Sequence, residues 1–158
     1  MNEFTKIVIR ETFPVPVEKV FQTMLDHNKM SEWLGKGIQI QRVKDSVDSY
    51  RPNGVGSVRR FRPLGLSLGA FEETVISISE NKKITYKITK GSPIREHEGN
   101  IHLNTIVKQN SHRTSVIWEI VLVGKFPFVA EILKPILYFA ISKGLKKLKT
   151  TLVGSIQS

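Results

Sequence analysis

Residues 4–13 alternate, with Lys6, Val8 and Arg10 set against Ile7 and Ile9, and this period of two predicts a strand. Pro14 and Pro16 end it, and Pro16 suits the opening of a helix, where its missing N–H costs nothing. Val17, Val20, Phe21 and Met24 then recur at i, i+3, i+4 and i+7, the spacing of a short amphipathic helix. Asp26 is placed to cap a second short helix ending near Trp33, and Gly35 and Gly37 break it. From residue 38 the period returns to two. IQIQRVKDSVD, SVRRF, AFEETVISIS, KITYKIT, the stretch from Arg95 to Lys108, and RTSVIWEIVLVG read as six successive strands. Turn residues separate them: PNGVG at 52–56, Glu80-Asn81-Lys82, Gly91-Ser92-Pro93 and Asn110-Ser111.

The chain closes on its longest helical pattern, Phe126 to Val153. Leu137, Ile141, Leu145, Leu148 and Leu152 form one stripe at 3.6 residues per turn, and Gly144 lies at its edge, where it would leave room. Pro135 lies well inside this segment and predicts a kink or two helical pieces. The 17 residues between Lys125 and Lys143 are interrupted by Glu131, Lys134 and two prolines, so no transmembrane span is expected. Strand, two short helices, six strands and a long helix give an α+β architecture. A curved antiparallel sheet of about seven strands (β-α-α-β6-α), wrapped around the C-terminal helix, would bury both apolar faces at once. With no internal repeat or linker, residues 1–158 read as one domain.

Composition narrows the chemistry. Without cysteine there is no thiol nucleophile, disulfide or thiolate metal site. The four histidines show no H-x-x-x-H pair, so neither a metal nor any other cofactor is expected. Gly54-Val55-Gly56 lacks the lysine of a phosphate loop, and no Gly-x-Ser-x-Gly elbow occurs. The N-terminus shows no basic segment leading into an apolar run, so a cytoplasmic location is the expectation. The formal charge is +10, with six lysines against Glu131 alone in residues 125–158 and a second cluster at Arg51, Arg59, Arg60 and Arg62. Such a field suits a solvated face, or an anionic partner such as RNA, a ribosome or an anionic membrane surface.

The order of elements and three stretches together resemble a known family. PVPVEKVFQTMLDHNKMSEWLG is similar to the proline, Val-Phe helix and later tryptophan that open START-like (SRPBCC) helix-grip domains. PNGVGSVRRF resembles their glycine-containing hairpin, and KPILYFAISKGLKKLKTTL their last helix, over nearly the whole chain. The likeness is greatest to the polyketide cyclase/dehydrase and lipid-transport branch. It implies a cavity between sheet and last helix for a hydrophobic small molecule such as a lipid, quinone or polyketide. The protein would be a carrier or sensor, or alternatively a cyclase or dehydratase enzyme, because such a fold does not fix its function.

Strand parity selects the residues that would line such a cavity. His97, Ile101, Leu103 and Val107 share one face, as do Ile84, Tyr86 and Ile88, and Val116, Trp118, Ile120 and Leu122. The expected ligand-binding set is therefore Trp118, Tyr86, His97, Ile101, Leu103 and Ile120, with Leu137, Ile141 and Gly144 from the helix. His97 and Tyr86 are the catalytic candidates, an imidazole that could move a proton and a phenol that could donate to a carbonyl or enolate oxygen. A lone histidine on an apolar strand more often lines a pocket than catalyses. Which of Glu72 and Glu73, and which of Arg59 and Arg60, faces inward is left open by the pattern.

Overall fold

The computed structural model describes residues 4–156. Its elements follow the predicted order: β1 (Thr5–Phe13), α1 (Val17–Leu25), α2 (Met30–Leu34), β2 (Ile38–Lys44), β3 (Val58–Pro63), β4 (Phe71–Ser79), β5 (Lys83–Lys90), β6 (Ile94–Lys108), β7 (Ser111–Gly124) and α3 (Val129–Gly154). The strands form one seven-stranded antiparallel sheet in the order β1-β7-β6-β5-β4-β3-β2. Six of them form a meander. β1 crosses to the far side and pairs with β7, Phe13 opposite Thr114 and Thr5 opposite Leu122. Where β1 ends, the buried Thr114 hydroxyl donates to the Val15 carbonyl at 2.8 Å, which satisfies a backbone group next to two prolines.

In β1, β5, β6 and β7 the inward parity is as the alternation predicts. Ile7, Ile9, Ile84, Tyr86, Ile101, Leu103, Val116, Trp118, Ile120 and Leu122 are all buried in one core. Val107 is the exception: it has the inward parity but is exposed, because the β6–β7 hairpin runs on past the helices that cover the sheet. Asp26 caps the turn that precedes α2, its carboxylate accepting from the N–H groups of Asn28 and Lys29.

Of the alternatives expected at Pro135, division into two pieces does not occur, and the room expected at Gly144 is also absent. α3 runs unbroken through Pro135, which sits on its exposed side. There the Glu131 carbonyl that loses its partner can turn to water, so the helix does not have to divide. Gly144 does not leave room. A Cβ there would lie 3.1 Å from the Leu34 Cα and 3.1 Å from the Trp33 carbonyl oxygen, so glycine is what lets α2 and α3 touch. The stripe of Ile141, Leu145, Leu148 and Leu152 is buried, while Leu137, a turn earlier, is only half-buried. The C-terminal half of α3 thus seals the core, and its N-terminal half covers it less completely, through Ala130 and the half-buried Leu133 and Leu137.

Gly144→Leu should therefore destabilise the fold by about 1–3 kcal/mol or more through overpacking. The midpoint of urea unfolding measures this, and an unchanged midpoint would contradict the α2–α3 contact described.

Candidate functional site

The centre of the concave face is a polar and aromatic cluster built around Tyr86. On β5 this residue points inward and lies directly over Gly99 of β6, where any Cβ would collide with its ring. The Trp118 Nε1–H donates to the Tyr86 hydroxyl at 2.7 Å, with the two rings edge-on at 89°. Trp33 of α2 extends the cluster, its ring 6.4 Å from that of Trp118. From β3, the Arg59 guanidinium sits 4.6 Å from the centre of the Tyr86 ring, a cation–π contact.

Arg59 is held in turn by Glu73 of β4. Its Nε and a terminal nitrogen donate to one carboxylate oxygen at 2.8 and 2.7 Å, and both side chains are buried. This settles the choice the alternation left open: Arg59 and Glu73 face inward as register partners, while Arg60 and Glu72 pair toward the outer face. A buried ion pair gains little net stability, because desolvating two charges offsets their attraction. Burial, and after it the Glu73 charge, raises the Tyr86 pKa far above its ordinary value. The phenol stays neutral, and since its oxygen already accepts from Trp118, its hydrogen is left to donate.

His97 lies at the margin of this cluster, where the sheet comes apart. The β5–β6 ladder runs from Lys83 opposite His102 to Tyr86 opposite Gly99 and pairs no further. Beyond it the Ile88 N–H donates to His97 Nδ1 at 3.3 Å, so an imidazole takes the place of a strand partner. An Nδ1 that accepts fixes the neutral tautomer with its proton on Nε2. Burial lowers the His97 pKa, with the Glu73 charge opposing, so the neutral form is the one favoured. The ring is 5.5 Å from Tyr86. A cleft of about 570 Å³ opens at this split, and it is lined by residues of both parities, Lys87, Glu98 and Val123 as well as Ile88, His97 and Leu122.

Of the expected ligand set, His97 alone borders that cleft. Tyr86, Ile101, Leu103, Trp118 and Ile120 are each at most 2% exposed and belong to one core cluster. Ile141 is buried with them, and Gly144 meets α2. Sequence reasoning passed over His27, which sits in the irregular turn after α1, where no period marks a residue as buried. Its Nε2 lies 2.9 Å from the Ser57 hydroxyl, and its buried Nδ1 has no partner. Burial, reinforced by the Arg59 and Arg42 charges, holds its pKa far below 6.5. Among the described residues no group of His, Asp or Glu is arranged to hold a metal ion.

A curved antiparallel sheet closed by a long C-terminal helix, with a polar cluster on its concave face, defines a helix-grip protein. The family model for polyketide cyclase/dehydrase and lipid transport matches residues 5–153, and the chain belongs to that family. Among solved structures, an uncharacterised protein from Bacillus thuringiensis is similar at a TM-score of 0.69 and 16% identity, with 94% of this chain and 99% of that one covered. A protein from Nitrosospira multiformis matches at 0.66 and 21% identity, with 89% and 93% covered. One from Thermobifida fusca matches at 0.67 and 16%, with 91% and 90% covered. At such identities these neighbours share the fold. No curated protein matches the chain in sequence. Family membership points to a hydrophobic ligand, and among the described residues no helix is long and apolar enough to cross a membrane.

Arg59→Met should cost about 3–5 kcal/mol by leaving Glu73 buried and unpaired, and adding Glu73→Leu should recover most of it. Chemical unfolding of both variants checks this, and equal losses would contradict it. The buried histidines predict an acid dependence. Their folded pKa lies below the unfolded 6.5, so the stabilisation is full above pH 6.5 and is lost as pH falls toward the folded value. For His27 the slope approaches about 1.4 kcal/mol per pH unit, and it should appear between pH 6 and 5, before carboxylates titrate. His27→Gln should flatten it, and unfolding free energies equal at pH 7 and pH 5 would contradict it.

Proposed function

We propose that the protein binds a hydrophobic small molecule carrying a carbonyl or similar acceptor oxygen, such as a lipid, quinone or polyketide, as a carrier or sensor. The observation that carries this reading is the His97 tautomer. With Nδ1 committed to the Ile88 N–H, the nitrogen left for a ligand is Nε2, and it carries the proton. It can therefore donate to an acceptor oxygen without moving a proton. The cleft beside it lies within the usual range of about 300–1,000 Å³ for small-molecule sites. Ile88, Val121 and Val123 offer apolar walls there, with Tyr86 and Trp118 packed behind His97.

A cyclase or dehydratase reading asks for a base with a free lone pair toward the substrate. His97 in this tautomer lacks one, and Tyr86, kept neutral by burial, is an acid and not a base. Binding is the better-supported role.

Native mass spectrometry of the purified protein should find a retained apolar ligand. In titrations followed by tryptophan fluorescence, an isoprenoid quinone should bind, and His97→Gln should weaken it by about 5–30-fold, one polar contact of about 1–2 kcal/mol. No binding of quinone, fatty acid or aromatic polyketide to the wild type would overturn the proposal. Binding unchanged by His97→Gln, with loss of a measurable turnover, would favour the enzyme reading.

A further inference from the structure

The first half of α3 reverses the usual arrangement of an amphipathic helix. Of its inner stripe, Ala130 and Ile141 are buried, and Leu133 and Leu137 are half-buried against the core. Its outer face is apolar as well: Phe128, Ile132, Ile136 and Phe139 recur at steps of four, four and three, and each is between 57% and 74% exposed. Phe126 and Tyr138 flank that stripe and are also exposed. Ordinary surfaces scatter single apolar side chains, and a contiguous row of this size marks a contact site. Phe128, which caps the helix, holds a left-handed φ of 66°, a conformation that costs a bulky residue about 1 kcal/mol or more. That strain is kept at a ring which gains no burial from it.

Charge identifies the occupant. The same outer stripe continues from Phe139 into Lys143, Lys146 and Lys147, and Lys125 precedes Phe126 at its other end, with Glu131 the one acidic residue of the helix. A two-fold contact with a second copy would bring these lysines together, like against like, at the rim of the apolar patch. Nucleic acid would satisfy the lysines but has no use for Ile132 and Ile136. An anionic bilayer takes both, apolar side chains entering the acyl boundary and lysines meeting phosphate. The β3–β4 connection, with Leu66 and Leu68 exposed, emerges at the same end of the sheet as the start of α3.

We propose that the outer face of the N-terminal half of α3 docks this protein on the surface of an anionic membrane, lying in the interface without crossing it. The proposal does not rest on the ligand reading, since the docking face and the His97 cleft share no residue.

The test is co-sedimentation of the full chain with vesicles of phosphatidylcholine alone or with about a third phosphatidylglycerol. Binding should be at least about tenfold tighter to the anionic vesicles and should fall steeply as salt rises past the range where the Debye length is about 10 Å. Ile136→Asp with Phe139→Asp should abolish it, with thermal stability unchanged because both side chains are already exposed. Lys143→Gln with Lys146→Gln and Lys147→Gln should reduce binding to the level on neutral vesicles. No binding, or equal binding to both vesicle types, overturns the proposal. So does a dimer in sedimentation equilibrium that Ile136→Asp dissociates, which would make a second copy the occupant. RNA binding lost in the lysine variant but kept in the aspartate variant would make RNA the occupant.

Discussion

Four strands meet at one phenol. The Tyr86 ring occupies the space that Gly99 leaves empty, its oxygen is held by the Trp118 indole, and its face carries the Arg59 guanidinium. Through those contacts β5 is tied to β6, β7 and β3, and Arg59 ties in β4 through Glu73. Trp33 closes the set from α2, at the place where Gly144 lets α3 approach. A ring of this size over a glycine also explains why the sheet opens where it does. The β5–β6 ladder stops at the Tyr86–Gly99 pair, and His97 fills the gap that follows. Core packing and the candidate site are thus one arrangement.

Parity alone was enough to turn Tyr86, His97 and Trp118 inward, because a strand with one buried face has its register set by its own hydrophobic residues. It could not choose between Glu72 and Glu73, since Phe71 and Val75 argue one way and Ile76 and Ile78 the other. The answer lies in the cross-strand register, where Arg59 stands opposite Glu73, and no single strand carries that information. Gly144 was misread for a similar reason: a missing side chain on a helix looks like space until the element that fills it is known. His27 left no trace in any period because its turn has none. The His97 tautomer depends on a backbone N–H nine residues away that the broken ladder has freed.

The two halves of α3 have different surroundings within one continuous helix. After Ile141 the inner stripe packs against β1 and α2 and the outer face is lysine. Before it, the inner stripe is incompletely covered and the outer face is apolar. Helical stability in the first half therefore comes from continuity with the second more than from burial of its own. A segment with few buried contacts, attached to a well-packed one, has the low local stability that elements able to open around a ligand require.

The crossing of β1 also governs how the chain can fold. Its partner is β7, and the bond from Thr114 to Val15 spans 99 residues of sequence. As the chain is synthesised, β1 has no partner until nearly all of the meander has emerged, and the inner stripe of α3, which rests on β1, follows last. The hairpins from β2 to β7 can form locally, but sheet closure must wait for the most distant contact, which places this domain among the slower folders of its size. Until then β1 is an exposed edge bearing Ile7 and Ile9, the kind of segment that pairs with the wrong strand and that chaperones shield.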